Sequence, residues 1–101
     1  MCEFKIIKQN DGSQILEDIV VISYTESNEL LFKDILGIGE IIDSGLILDV
    51  NTLNQTCVVL EHPLVKDFIN LVKRANNNSL NKAEIENFQK KLDQLKETLK
   101  S

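Results

Sequence analysis

The run Thr56-Cys57-Val58-Val59-Leu60-Glu61-His62-Pro63-Leu64-Val65-Lys66-Asp67-Phe68 divides the chain into two kinds of structure. Up to Glu61 it is a short apolar, β-branched stretch of the sort that fills strands. From Pro63 the period changes. Leu64, Val65, Phe68, Leu71, Val72 and Ala75 recur at helical intervals. Pro63 suits a first helical position, where its missing N–H would have no partner anyway.

Upstream of this run, short strands are predicted over residues 2–8, 14–24, 30–32, 40–42, 46–50 and 56–61. Turn-forming clusters separate them: Asn10-Asp11-Gly12-Ser13, Glu26-Ser27-Asn28-Glu29, Asp43-Ser44-Gly45 and Asn51-Thr52-Leu53-Asn54-Gln55. Ile35-Leu36-Gly37-Ile38-Gly39 reads as a bend with apolar anchors. Its G-x-G marks a turn, because nothing completes a dinucleotide fingerprint.

Downstream, Asn76-Asn77-Asn78-Ser79 ends the first helix. Asn81 with Glu84 predicts a capping box, and Leu80 with Ile85 a hydrophobic staple. Ile85, Phe88, Leu92, Leu95 and Leu99 form a heptad seam. Two heptads are too short for a stable isolated coiled coil, so the seam needs a partner. The candidates are the preceding helix, the strand domain or a second subunit.

The expected fold is mainly β with an α extension, hence α+β. Residues 1–61 would make a small antiparallel β-barrel or rolled sheet. Residues 62–101 would make a C-terminal two-helix hairpin, packed on that domain or on a partner subunit.

Composition narrows function. The 101 residues carry 16 acids and 11 bases, for a net charge of −5. Such a field works against sequence-independent nucleic-acid binding, which needs clustered Lys and Arg. Arg74 is the single Arg, and the aromatics are four Phe and one Tyr. Few rings are therefore available for base stacking. No apolar run reaches the roughly 20 residues of a membrane span. The opening Met-Cys-Glu-Phe-Lys lacks a signal-peptide pattern, so a cytoplasmic location without membrane contact is expected. With one His and no nucleophile motif, an enzyme is the least favoured class.

Cys2 is the residue richest in chemistry. Methionine before a small residue is normally removed. The chain would then begin with an amine and a thiolate on one residue, a five-membered chelate for a borderline metal. The Glu3 amide can add a nitrogen donor, and its carboxylate is a weak oxygen donor. Nitrogen and sulfur donors in one plane suit Ni(II) or Cu(II). Thiolate binding would weaken with acidity. The pattern also allows a plainer reading, with Cys2 as a small strand residue and Glu3 as a solvent-facing one. Cys57 reads as a buried structural thiol. His62 reads as a helix cap or an exposed residue, with a metal role as the lesser alternative.

Met-Cys-Glu-Phe-Lys, Leu16-Glu17-Asp18-Ile19-Val20, Leu31-Phe32-Lys33-Asp34-Ile35-Leu36-Gly37 and Thr56-Cys57-Val58-Val59-Leu60-Glu61 together resemble the CooT family. These are small nickel-binding proteins, also described as predicted RNA-binding proteins. The resemblance covers residues 1–61. It implies a compact β-domain that forms a homodimer, with the family's nickel-binding cysteine falling on Cys2. It also implies a client, a nickel enzyme such as carbon monoxide dehydrogenase, whose maturation the protein assists. The helices lie beyond the family pattern. HypC-type hydrogenase maturation chaperones also begin Met-Cys, but Glu3-Phe4-Lys5 departs from their continuation. The resulting expectation is a metallochaperone-like accessory protein that binds Ni(II) through Cys2, with Glu3 beside it. The alternatives are a small-barrel RNA-binding protein and a protein-interaction module.

Overall fold

The structure, a computed structural model, describes residues 3–99. Six strands are followed by two helices: β1 (Phe4–Lys8), β2 (Ser13–Tyr24), β3 (Leu30–Asp34), β4 (Gly39–Ile42), β5 (Gly45–Asn51), β6 (Thr56–Glu61), α1 (Pro63–Asn76) and α2 (Lys82–Glu97). The α+β class and the strand-to-helix change at Pro63 agree with the sequence reading. The chain divides into two compact units, one ending at Lys66 and the other beginning at Asp67.

The sheet corrects the expected architecture in two respects. It is mixed, since β1 and β6 run parallel while the other four pairings are antiparallel. A parallel pair needs a long crossover, and here β2 through β5 supply it. Apolar alternation looks the same for either strand direction, so the sequence carried no sign of this pair. The strand order is β4-β3-β2-β1-β6-β5. The sheet is therefore not closed into a barrel, and β4 and β5 are its edges.

Chain connectivity nevertheless makes the sheet roll. Only Asp43 and Ser44 join the two edge strands. A flat sheet would separate them by about 24 Å, from five steps of about 4.8 Å. The Ile42-to-Gly45 link spans at most about 11 Å, from three Cα steps of about 3.8 Å. The sheet has to curl until its edges meet at that end. Bulges assist. Pairing slips twice between β2 and β1, from Ile19 to Gln14, and once between β2 and β3, from Ile19 to Val21, and Asp18 in this stretch takes φ 59°. It slips again between Ile47 and Asp49 in β5. An extra residue bends a strand and increases its twist.

The concave face buries Ile6, Ile19, Leu30, Phe32, Cys57 and Val59, with Phe4, Leu16, Ile22, Tyr24, Ile42 and Ile47 packed around them. Tyr24 fastens the roll across strands that are not neighbours. Its hydroxyl donates to the Gly45 carbonyl at 2.6 Å and accepts from the Ile47 amide at 3.3 Å. Gly45 fits this closure because a Cβ there would stand 3.0 Å from Leu30 Cδ2 and 3.1 Å from Ile42 Cγ2.

Ser44 is buried just before Gly45. Its hydroxyl donates to the His62 carbonyl at 2.5 Å and accepts from the Lys66 amide at 2.9 Å. It thus meets one of the unpaired N–H groups that open α1. His62 is exposed and caps the same turn, its Nδ1 accepting from the Leu64 amide at 3.1 Å.

In the second unit, the expected capping box is present. The Asn81 side chain accepts from the Glu84 amide, and the Glu84 carboxylate accepts from the Asn81 amide. Phe68 and Phe88 meet at 6.3 Å between ring centroids. Asp67–Lys91 and Glu84–Arg74 ion pairs join the two helices. Arg74 Nε lies 2.6 Å from Glu84 Oε2 without an aligned hydrogen bond, so that contact is Coulombic. No residue of either helix is fully buried. No described helix is long and apolar enough to cross a membrane.

Candidate functional site

β1 enters the sheet at Phe4, which pairs with Ile19, which in turn pairs with Asp34. On the other side Lys5 pairs with Thr56, and the Lys5 amide donates to the Gln55 carbonyl at 2.9 Å. These directions put the entry to β1 and the β5–β6 turn at one end of the sheet, while the β3–β4 loop leaves β3 toward the other. Glu3 lies at the entry to β1 and is exposed. Cys2 precedes it by one residue and lies outside the described residues, so the chelate expected at Cys2 has no geometry to report.

The second thiol is of a different kind. Cys57 is fully buried and free. Burial pushes its thiol pKa up, and the nearby Asp49 charge adds to the rise. A buried neutral thiol is a poor nucleophile and a poor metal ligand, since both roles need thiolate. His62 spends Nδ1 on the α1 cap. Among the described residues, no group of three or more His, Cys, Asp or Glu could hold a metal ion. A metal centred at Cys2 would draw on the N-terminal residues themselves, with the exposed Glu3 carboxylate as the adjoining described donor.

The bend expected to be anchored by apolar residues is inverted. Asp34 Oδ1 accepts from the Leu36 amide at 2.9 Å and the Ile38 amide at 3.0 Å, and Gly37 supplies φ 82°. This turn closes through its backbone and turns its apolar side chains outward, leaving Leu36 80% exposed. The Asp34 and Gly37 spacing is the signal that would have identified a loop tip. Leu53, in the opposite turn, is 95% exposed.

The hollow between the helices is polar, lined by Asp67, Asn70, Leu71, Glu84, Asn87 and Phe88. Its two carboxylates are already paired with Lys91 and Arg74. The sole Arg also donates to the Ser79 carbonyl at 3.0 Å, so its guanidinium serves the hairpin. Ser44 was read from sequence as a turn residue only. Its capping role joins positions 22 residues apart and leaves no local signal. No family model matches the chain, and no curated protein matches it significantly.

Proposed function

We propose that this chain is a nickel-handling accessory protein that binds Ni(II) through Cys2 and delivers it to a nickel enzyme, with no turnover of its own. The observation that carries this reading is the contrast between the two thiols. Cys57 is sealed in the core with its pKa raised, which leaves Cys2 as the thiol for a borderline metal. The ordered motifs shared with the CooT family add weight, as does the exposed Glu3 beside Cys2. The cargo is a metal ion, so affinity should fall with acidity as the thiolate protonates.

The test is a Ni(II) titration of tag-free protein whose N-terminal Cys has been verified by intact mass. A saturable thiolate-to-nickel absorption band is expected, and Cys2→Ser should remove it without changing the fold. One metal per two chains would support a site shared across a homodimer. A band that survives Cys2→Ser would defeat the proposal.

A protein-interaction role is the second reading. It is favoured by the α2 seam, where Ile85, Leu92 and Leu95 remain about 40% exposed although Phe88 contacts α1. Under this reading Leu92→Ser with Leu95→Ser would abolish partner binding while Cys2→Ser left it intact. RNA binding gains no support, because Arg74 is engaged within the hairpin.

A further inference from the structure

The opening turn of α1 satisfies its backbone donors one by one. Pro63, at the first helical position, has no N–H to satisfy. The Leu64 amide donates to His62 Nδ1 at 3.1 Å, and the Val65 amide to the His62 carbonyl at 3.1 Å. The Lys66 amide donates to the Ser44 hydroxyl at 2.9 Å. Each of these donors thus has an acceptor, as a helix start requires. Among those acceptors only the imidazole changes its charge between about pH 5 and 8.

A ring nitrogen that accepts a hydrogen bond carries no proton. The cap therefore needs a neutral ring with its proton on Nε2. Protonation turns both ring nitrogens into donors. Nδ1 would then meet the Leu64 amide donor to donor, and the turn would lose that cap. Protonation would also set a positive charge at the positive end of the helix. No acidic residue stands in the first turn of α1 to offset it. The surrounding carboxylates are committed elsewhere. Glu61, just before His62 at the end of β6, pairs with Lys8 of β1 at 2.9 Å. Asp43, in the β4–β5 link, pairs with Lys66 of α1 at 2.8 Å. Asp67, further along α1, pairs with Lys91 at 2.7 Å. His62 is exposed, so a proton reaches the ring without unfolding.

We infer that His62 is a pH-sensitive latch on α1, closing its opening turn when neutral and releasing the Leu64 amide when protonated. The cap is complete above the imidazole range and is lost as the pH falls through it. The Ser44 hydroxyl does not titrate in that range, so its hold on Lys66 persists in acid. Acid therefore frays the first turn and leaves the strand roll intact. The chain leaves the first compact unit at Lys66, directly after this turn. The latch thus gives the hairpin a root that loosens with acidity.

The test is an NMR titration of the full-length protein from about pH 8 to pH 5, with His62→Asn and His62→Ala alongside. At the upper end, ring nitrogen shifts should report the Nε2–H tautomer. As the ring protonates, the Leu64 amide and the carbon shifts of residues 63–65 should move away from helical values on the same curve. The frayed population should rise about fivefold. Asn is a good cap that does not titrate, so in His62→Asn the Leu64 amide should hold its position throughout. His62→Ala should show the frayed shifts at both ends of the range. An Nδ1–H tautomer at the upper end would overturn the inference. So would a Leu64 amide that ignores the ring, or one that moves equally in His62→Asn. None of these readings involves Cys2, so they stand apart from the nickel titration.

Discussion

The strand roll and the helical hairpin are stabilised in different ways. The roll buries six apolar residues on its concave face. It locks its curl with Tyr24 on Gly45 and Ile47. The hairpin buries no residue fully, and relies on a capping box, two ion pairs and one ring contact. Exposed ion pairs are worth about 0–1 kcal/mol each, and helix pairs this short are marginal without a packed face. The roll is therefore held mainly by apolar burial, and the hairpin mainly by polar and partly exposed contacts.

The largest expected difference comes from paired truncations. Phe32→Ala empties the centre of the roll and should cost about 3–5 kcal/mol in urea unfolding. Phe88→Ala removes a half-buried ring and should cost about 1–2 kcal/mol. Equal losses would mean that the hairpin has a core of its own and would break the comparison.

Ser44→Ala is next. It strips the hydroxyl that accepts from Lys66 and donates to His62, for an expected loss of about 1–2 kcal/mol. The loss should appear in strand and helix signals together. Asn81→Ala should cost about 1 kcal/mol. It should lower helicity in far-UV circular dichroism while the tyrosine signal of the roll is unchanged. Asn81→Asp, also a good cap, should restore helicity.

The smallest effect is a pH term in the β1–β2 turn. The Ser13 hydroxyl and amide both donate to Asp11 and hold its carboxyl below the usual range. With the folded value depressed, the contribution is complete above the unfolded carboxylate pKa. It disappears as the pH falls through the folded one. Asp11→Asn should flatten the acid limb of the stability profile slightly, and an unchanged profile would remove Asp11 from it.

Much of the fold was legible locally. Turn clusters and the change of period at Pro63 located all six strands and both helices, and Asn81 with Glu84 announced its own cap. The missing features were relations between distant segments. The direction of β6 against β1 does not alter apolar alternation. The curl follows from strand order, which no single strand encodes. Ser44 caps a helix it does not adjoin in sequence. Leu36 and Leu53 looked alike to any apolar count, yet neither is buried. At the candidate site, Cys57 was readable as structural because it lies within an apolar strand. Cys2 was readable only by its chemistry and its resemblance, and it lies outside the described residues.

The contrast between the two thiols is tested most directly by thiol titration of the native, Met-processed protein, with and without Ni(II). One fast-reacting thiol is expected, shielded by Ni(II) and absent in Cys2→Ser. The Cys57 thiol should react only after urea unfolds the roll. A fast thiol that survives Cys2→Ser, or one that Ni(II) leaves unprotected, would contradict the assignment of metal binding to Cys2.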